Sequence, residues 1–307
     1  MIAGQIEKYL VVIAGPTAVG KTSLGIEVAE QLGTEIISAD SRQVYRETCI
    51  GTAVPTAGQL ARVRHHFIRC VSLMEHYNAS IFENQVLDRL EELFAKYDTV
   101  LMVGGSGLYM DAVCRGIDDL PPADMELRGR LLERFQREGL GPLVDDLCRL
   151  DPLSWERIDR NNPMRVLKAV EVSLQTGRPY SSFLSFTGKQ RSFSILRIAL
   201  DMERAELYAR INTRVDRMME AGLLVEVEGL RHLRGVNALK TVGYRELFRY
   251  QDGALPLEEA VDLIKRNTRK YARKQLTWFR KGGLYTWFRP DDPHGVLDWI
   301  RERLRAS

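Results

Sequence analysis

The chain has 307 residues, 45% of them hydrophobic and 28% charged, which is an ordinary globular composition for one large or two modest domains. Its formal net charge of +3 favours no class of partner, and no apolar run is long enough to span a membrane, so we expect a cytoplasmic protein without membrane association. The four cysteines form no CxxC pair, which argues against a zinc or redox motif and predicts buried free thiols.

Strand and helix patterns alternate in the first third of the chain. Tyr9–Ala14 is a β-branched run typical of a buried strand, and Lys21–Leu32 has helical spacing that ends at a glycine. Further patterns predict a strand at 35–39, a helix at 81–96 and a strand at 99–103. This alternation indicates βαβ units, a parallel sheet and an α/β fold.

The pattern changes after about residue 120, where helical segments are broken by prolines and glycines without a strand-like run. Ser194–Leu200 restores a strand, and helices are predicted after it at 204–221, 225–233 and 257–281, with a short strand at 284–288. We therefore predict a core domain formed by residues 1–119 and 193–307, and a helical insertion domain at 120–192.

A glycine-rich loop directly follows the first predicted strand and opens the first helix. It fits the pattern GxxxxGK[ST], which ATP-binding proteins share, and consists of Gly15, Pro16, Thr17, Ala18, Val19, Gly20, Lys21 and Thr22. Backbone N–H groups, the helix N-terminus and the lysine favour phosphate there, and the threonine hydroxyl can hold Mg²⁺. The sheet is therefore predicted to be P-loop NTPase-like.

The acidic residues near this loop leave two alternatives open. The strand at 99–103 ends in glycines and not in the carboxylate that ATP hydrolases use, while Asp201 can either replace that acid or cap the following helix. Asp40 follows a strand at the edge where ligands bind, and it is either a general base or part of a solvated turn.

A basic segment lies near the C-terminus. Between residues 264 and 281 there are eight lysines and arginines and no acidic residue, interleaved with Tyr271, Trp278 and Phe279. Such a stripe suits either an RNA backbone with unstacked bases or a solvated helix face whose aromatics belong to the core.

Six segments occur in the order found in tRNA dimethylallyltransferases, and over about residues 11–288 the chain resembles that family: GPTAVGKT, ISADSRQVY, IGTAVPT, HHFI, VGGSGLY and NTRKYARKQLTWFR. The resemblance implies that the loop binds dimethylallyl diphosphate with Mg²⁺ at Thr22, and that Asp40, Thr17, Lys21 and Arg214 are catalytic. Without it, Arg214 would be interpreted as an exposed helix charge. The implied reaction prenylates N6 of adenosine 37, 3′ of the anticodon, in tRNAs reading codons that begin with U.

The resemblance also implies contacts with the tRNA anticodon stem-loop and a monomer without an obligatory protein partner. The implied contact residues are Asp40, Ser41, Arg42, Gln43, Ser106, Arg128, Met164, Arg165, Val166, Leu167, Lys168, Lys240, Thr241, Val242, Gly243, Tyr244, Arg245, Arg273, Lys274, Gln275, Leu276, Thr277, Trp278, Phe279 and Arg280. Gly243 is explained by a tight turn or by close approach of RNA, and His65 and His66 are structural or functional with equal weight.

The chain departs from the family pattern at Val54, Arg64 and Ser106, which puts loops and one RNA contact in doubt but not the phosphate loop. Three rival functions remain: a small-molecule kinase, an adenylate isopentenyltransferase acting on free nucleotide, and an RNA-binding protein without catalysis. The basic segment argues against the first two, and the intact phosphate loop argues against the third.

Overall fold

The computed structural model describes residues 7–118, 120–185 and 188–306, and within them the chain forms six strands and thirteen α-helices. The strands are β1 (Tyr9–Ala14), β2 (Ile36–Ala39), β3 (His65–His66), β4 (Thr99–Gly104), β5 (Ser194–Leu200) and β6 (Thr286–Phe288). The helices are α1 (Lys21–Leu32), α2 (Ala57–Arg62), α3 (Ala79–Phe94), α4 (Gly107–Arg115), α5 (Met125–Glu138), α6 (Gly141–Leu150), α7 (Pro152–Arg157), α8 (Pro163–Thr176), α9 (Arg204–Glu220), α10 (Leu223–Gly229), α11 (Tyr244–Gln251), α12 (Leu257–Arg280) and α13 (Pro293–Arg305).

The strands form one parallel sheet in the order β3-β2-β4-β1-β5-β6. All six residues of β1 are buried, as expected for a central strand covered by helices on both faces. The carboxyl ends of four strands are level, because Gly104 of β4 is in register with both Ala14 of β1 and Ala39 of β2, and Ala14 pairs with Ala199 of β5. Loops that leave these ends therefore meet at one edge of the sheet.

Two adjoining apolar clusters build this part of the molecule. One joins the sheet to α1 and α13, and the other packs α9, α10, α11 and α12 around Tyr244, Leu247 and Ile264. Arg191, just before β5, donates hydrogen bonds to the carbonyls of Ala112 and Val113 in α4 and pairs with the buried Glu83 of α3 at 2.7 Å. The return of the chain to the sheet is thus fixed by contacts to α3 and α4.

Residues Gly116–Lys189 form a second compact unit. Its bounds lie three to four residues before those of the predicted insertion, 120–192. Its four helices α5, α6, α7 and α8 surround their own apolar core, which includes Leu131, Leu143, Leu147, Val166 and Val170. Caps define its helix ends: the Asp124 and Asn162 side chains accept N–H bonds from the first turns of α5 and α8. The unit therefore has the ingredients of a small helical domain.

The predicted alternation of strands and helices is confirmed, and so is the glycine C-cap of α1, Gly33, whose φ is 63°. The prediction of buried thiols is wrong for Cys70 and Cys148, which are exposed, whereas Cys114 is buried. No described helix is both long and apolar enough to cross a lipid bilayer.

Candidate active site

The phosphate loop lies between β1 and α1, as its motif predicts. Its backbone takes a strained path, because Ala18 has a φ of 66°, a left-handed conformation that costs a non-glycine residue about 1–2 kcal/mol. Gly104, beside the loop, allows a close approach of strands, since a Cβ there would lie 2.2 Å from the Ala39 carbonyl oxygen. Such strain persists only where surrounding contacts hold the backbone in place.

Two long-range contacts hold Thr17 of this loop. Its N–H donates to Oε1 of Gln275 at 2.9 Å, and Nε2 of the same glutamine donates to the Gly105 carbonyl at 2.8 Å. The Thr17 hydroxyl accepts a 3.4 Å hydrogen bond from Arg214 of α9. Gln275 is buried, so one neutral side chain connects α12 to the loops after β1 and β4.

Positive charge is concentrated beside the loop. Burial, together with repulsion from Arg214, lowers the pKa of Lys21 from 10.5 to about 7, and Asp40 offsets part of this effect. Burial also lowers the pKa of Arg214. The Lys21 ammonium donates to the Pro16 carbonyl at 2.6 Å. Two cations that destabilise each other in the free protein form a site whose electrostatics improve when a polyanion binds.

Asp40 occupies the turn after β2. Its Oδ1 accepts hydrogen bonds from the backbone N–H groups of Arg42 and Gln43, at 2.9 and 3.3 Å. The Ser41 N–H donates to the Ser106 hydroxyl, which also contacts the Ser41 hydroxyl. Ser106 is buried, so this predicted RNA contact instead fixes the turn that carries Asp40. Hydrogen bonds from backbone N–H groups thus hold the Asp40 carboxylate in place beside the phosphate loop.

The loop at residues 48–53 is held by a carboxylate for which no role was predicted from the sequence. Glu226 of α10 accepts the N–H groups of Cys49, Ile50 and Gly51 and the hydroxyl of Tyr244, all at 2.6–3.0 Å. Gln43 reinforces the arrangement by donating Nε2 to the carbonyls of Thr52 and Ala53. Gln43 is therefore committed to this loop.

Three cavities surround these groups. A small one of about 90 Å³ is lined by Lys21, Thr22 and Gln275 together with apolar residues of β2 and β4. A larger one of about 250 Å³ is lined by α9, α12 and residues 241–243. The first two share Thr17, Asp40, Thr52, Arg214 and Tyr271. A more open third cavity combines the N-terminus of α1 with Arg210, Arg214 and Arg217.

Thr22 lines both the small cavity and the third cavity, which contains the three arginines. No cluster of three His, Cys, Asp or Glu side chains that could bind a metal occurs among the described residues. A hydroxyl beside a phosphate loop, without a full protein ligand set, matches the way Mg²⁺ binds through substrate phosphates and water. The residues present therefore fit a Mg²⁺ ion that arrives with a diphosphate.

The predicted RNA-contacting stretch of α12 divides into two faces. Arg273, Lys274, Thr277, Trp278 and Arg280 are exposed, whereas Gln275 and Phe279 are buried and Leu276 is half-buried. Arg280 pairs with Asp201 at 2.5 Å, and the Trp278 indole donates to Asp111 at 3.0 Å. The prediction of RNA contact is thereby narrowed to the exposed face.

The residues around Gly243 that were predicted to contact RNA also differ in their exposure. Lys240 and Arg245 are exposed, Thr241 and Val242 line the larger cavity, and Tyr244 is fully buried. Gly243 has a φ of 99°, and a Cβ there would meet no atom within 4 Å. Its conformation in the turn explains this glycine without any close neighbour.

In the second unit, Val166 and Leu167 lie in the apolar core, while Met164 and Arg165 are exposed. Arg128 and Lys168 both bind Glu171, whose side chain is completely buried, at 2.8 and 3.2 Å. These two cations have a structural task, because an unpaired carboxylate in that position would be strongly destabilising.

The open alternatives for Asp201 and the histidines are now resolved in part. Asp201 does not cap α9, since that position is occupied by the Glu203 side chain, and Asp201 binds Arg280 instead. His66 contacts Glu35 at 2.6 Å, and His65 contacts the Val63 carbonyl at 2.8 Å while lining the small cavity. Both histidines therefore have structural partners.

Of the five residues that line both the small and the larger cavity, Thr52 had no role assigned from the sequence, and Tyr271 was named only as an aromatic of the basic segment. The only signal for Thr52 was its place in IGTAVPT, and Tyr271 was signalled by its place in NTRKYARKQLTWFR and among the aromatics of the basic segment. Glu226 gave no signal, because its four contacts join segments about 20 to 180 residues apart.

Comparison with known proteins places this geometry in a family. The model of the IPP transferase family matches residues 43–282. A tRNA dimethylallyltransferase 2 of Parabacteroides distasonis is 48% identical over 96% of this chain and 99% of its own length. Another, from Porphyromonas gingivalis, is 50% identical over 94% of this chain and 96% of its own.

Solved structures agree with this assignment. The tRNA isopentenylpyrophosphate transferase of Bacillus halodurans is 37% identical, with a TM-score of 0.71 over 98% of this chain and 97% of that chain. A eukaryotic dimethylallyltransferase acting on tRNA, 24% identical, has a TM-score of 0.75 over 93% of this chain and 74% of that chain, and shares the fold. The predicted P-loop NTPase-like sheet is confirmed, and the chain belongs to the IPP transferase family.

Proposed function

We propose that this enzyme transfers the dimethylallyl group of dimethylallyl diphosphate to N6 of adenosine 37 in tRNAs reading codons that begin with U. The products are N6-(dimethylallyl)adenosine in tRNA and diphosphate. The observation that carries the proposal is the meeting of two cavities at Asp40, Thr17 and Arg214. One cavity reaches the phosphate loop, and the other reaches residues 241–243 and α12, where the RNA-binding segments are proposed.

The charges beside the phosphate loop support binding of the diphosphate donor. The low pKa of Lys21 reflects burial and the neighbouring Arg214, so a diphosphate that binds there restores the lysine proton and relieves the repulsion. The third cavity adds Arg210 and Arg217 to this attraction. Mg²⁺, held by Thr22 and the substrate, supplies further stabilisation of the charge that develops on the leaving diphosphate.

The geometry of Asp40 supports proton removal from the adenosine acceptor. Both of its hydrogen bonds go to Oδ1, and no bond to Oδ2 occurs among the described residues. The oriented carboxylate can therefore take the proton that the adenine amine loses as its nitrogen bonds to the allylic carbon. Adenosine must leave its stack to enter the larger cavity, because the reacting nitrogen has to reach the junction.

The same observations support the remaining properties. The proposed enzyme acts in the cytoplasm as a monomer, because its substrates are a tRNA and a small diphosphate and residues of one chain line both cavities. Nucleotides can occupy the phosphate loop as competitors, since they present the same phosphates.

Labelled dimethylallyl diphosphate, offered with either tRNA or AMP, tests the proposal against its rivals. We expect label in tRNA at adenosine 37, none in AMP, and no phosphate released from ATP. Label in AMP would indicate a free-nucleotide prenyltransferase, and ATP turnover without prenyl transfer would indicate a kinase or hydrolase. A tRNA with guanosine at position 37 is the matched acceptor control.

A further inference from the structure

Five residues line both the small and the larger cavity, so they surround the point at which the two meet. Asp40, Thr17 and Arg214 already have roles in proton removal and diphosphate stabilisation. Thr52 is committed to its own loop, since its hydroxyl bonds the Thr48 carbonyl and its carbonyl accepts from Gln43. Tyr271 is the shared residue whose ring still lacks a role, since its hydroxyl shares a hydrogen bond with Ser106.

Tyr271 is placed at the junction by the geometry of α12. Ile264, Thr268 and Tyr271 line the larger cavity, while Tyr271 and Gln275 line the small one. Their spacing of four, three and four residues puts them along one stripe of the helix. The tyrosine therefore stands where this stripe passes from the acceptor side to the donor side.

The side chain is unsuited to proton transfer near neutral pH. Burial, with the negative charge of Asp40, raises the pKa of Tyr271 to about 12, so its hydroxyl stays protonated. What the residue does offer at the junction is an aromatic ring, whose face carries partial negative charge.

The proposed reaction creates a need for such a face. As the allylic C–O bond breaks, its electron pair leaves with the diphosphate, and positive charge develops over the allylic carbons. The N6 electron pair then forms the C–N bond, and the N6 proton goes to Asp40. Lys21 and Arg214 stabilise the leaving group, but as cations they repel the charge that remains on the carbons.

We propose that Tyr271 is a further catalytic residue, whose ring covers the allylic carbons of the donor at the junction, stabilises their positive charge and keeps water away. This inference rests on prenyl transfer as the proposed reaction. Cation–π stabilisation is about 0.5–1 kcal/mol at an exposed ring and about 2 kcal/mol once bound substrates exclude water from it, and the latter corresponds to about 30-fold in rate.

The test compares Tyr271→Phe with Tyr271→Leu in single-turnover reactions saturated with tRNA and donor. We expect the phenylalanine variant within about threefold of the wild-type rate and the leucine variant about 30-fold slower. We also expect Tyr271→Leu to divert donor to dimethylallyl alcohol, because water then reaches the allylic carbon. Donor affinity, measured in parallel, should stay close to wild type in both variants.

A second measurement does not depend on the leucine variant folding. Phenylalanine analogues with one, two and three ring fluorines at position 271 keep the ring nearly constant in size but withdraw electron density from its face. We expect the rate to fall stepwise with fluorination, and a flat series would overturn the inference.

Trp278 provides a reference for an aromatic that is predicted to contact RNA. It lies seven residues further along α12 with 43% exposure, against 42% for Tyr271, and does not line the two cavities. Trp278→Leu should weaken tRNA binding. If Tyr271→Leu shows the same loss of tRNA affinity with wild-type rate and alcohol yield at saturation, Tyr271 is an RNA contact and the inference is wrong. Absence of prenyl transfer by the wild-type enzyme would instead refute the proposed function.

Discussion

The phosphate loop and the C-terminal half of α12 meet at Gln275, but they use their polar groups differently. In the loop, Thr17 is already held by Gln275 and Arg214, and the backbone keeps a strained conformation at Ala18. On the exposed face of α12, Arg273 and Lys274 take part in no ion pair among the residues that the structure describes. One region is organised before any ligand binds, and the other is left free for a partner.

The proposed function would require this difference between the two regions. Diphosphate and an allylic carbon need fixed dipoles, because reorganising them during the reaction would raise the barrier. An RNA backbone is recognised through many weak, salt-dependent contacts, for which flexible exposed cations suffice. Changes in the first region should therefore alter turnover, and changes on the exposed face should alter affinity.

The largest effect is expected at Asp40. Asp40→Ala should lower turnover by about 100-fold or more and leave tRNA affinity largely intact, because the carboxylate takes a proton in the transition state. Asp40→Asn is the matched variant, since its amide oxygen can still accept the Arg42 and Gln43 N–H bonds. Turnover near wild type in either variant, measured with saturating substrates, would remove Asp40 from the mechanism.

Gln275 lies where the two regions meet, so its substitution shows whether it serves turnover or tRNA binding. Gln275→Leu removes the bond to the Thr17 N–H and leaves the Gly105 carbonyl without its partner. We expect kcat to fall about 30-fold, because small displacements of catalytic groups are costly, while the Kd for tRNA changes little. The opposite outcome, weaker tRNA binding with normal kcat, would restore Gln275 as an RNA contact as the sequence predicted.

The lowered pKa of Lys21 predicts how donor binding depends on pH. Above pH 7 the free enzyme has lost much of the Lys21 proton, and the bound diphosphate recovers it, so affinity should fall by up to about tenfold per pH unit. Calorimetry at pH 8 in two buffers of different ionisation enthalpy should detect proton uptake on binding. Lys21→Arg is the control, because arginine stays charged, and equal uptake by that variant would contradict the assignment.

The smallest effect is expected on the exposed face. Replacing Arg273 and Lys274 together by alanine should reduce the slope of log tRNA affinity against log salt by roughly 1.5, at about 0.7–0.9 per phosphate contact. Arg280→Ala should change the slope less, because Arg280 is already paired with Asp201. An unchanged slope in the double variant would mean that this face is merely solvated.

The sequence predicted those parts of the fold that local patterns encode. The strands around the phosphate loop are continuous apolar runs, and the loop is a motif in which every position has a backbone or charge requirement. It missed β3, which has only two residues, and α11, whose N-cap is Gly243 and therefore offers no polar side chain as a start signal. It also missed α13, although Asp292 and Pro293 are an N-cap and first-turn signal.

The candidate site was predictable where a motif names it and not where distant segments cooperate. Asp40, Lys21 and Arg214, which the resemblance implied to be catalytic, line one cavity, and their catalytic roles stay predictions. The roles of Gln275 and Ser106 were assigned to RNA, because sequence shows that a residue is polar but not that its side chain points inward. Glu226 and Tyr271 depend on contacts between elements far apart in the chain, which no local period reports.

Arg191 has a consequence for the construction of the whole enzyme. Arg191 lies where the chain returns from the helical unit, and α4 lies where the chain leaves for it. By binding α4 and Glu83, Arg191 connects these two segments. These contacts lie within the first unit and do not involve the 74 residues of Gly116–Lys189. We therefore expect changes of length within that segment to leave the pairing of β4, β1 and β5 intact.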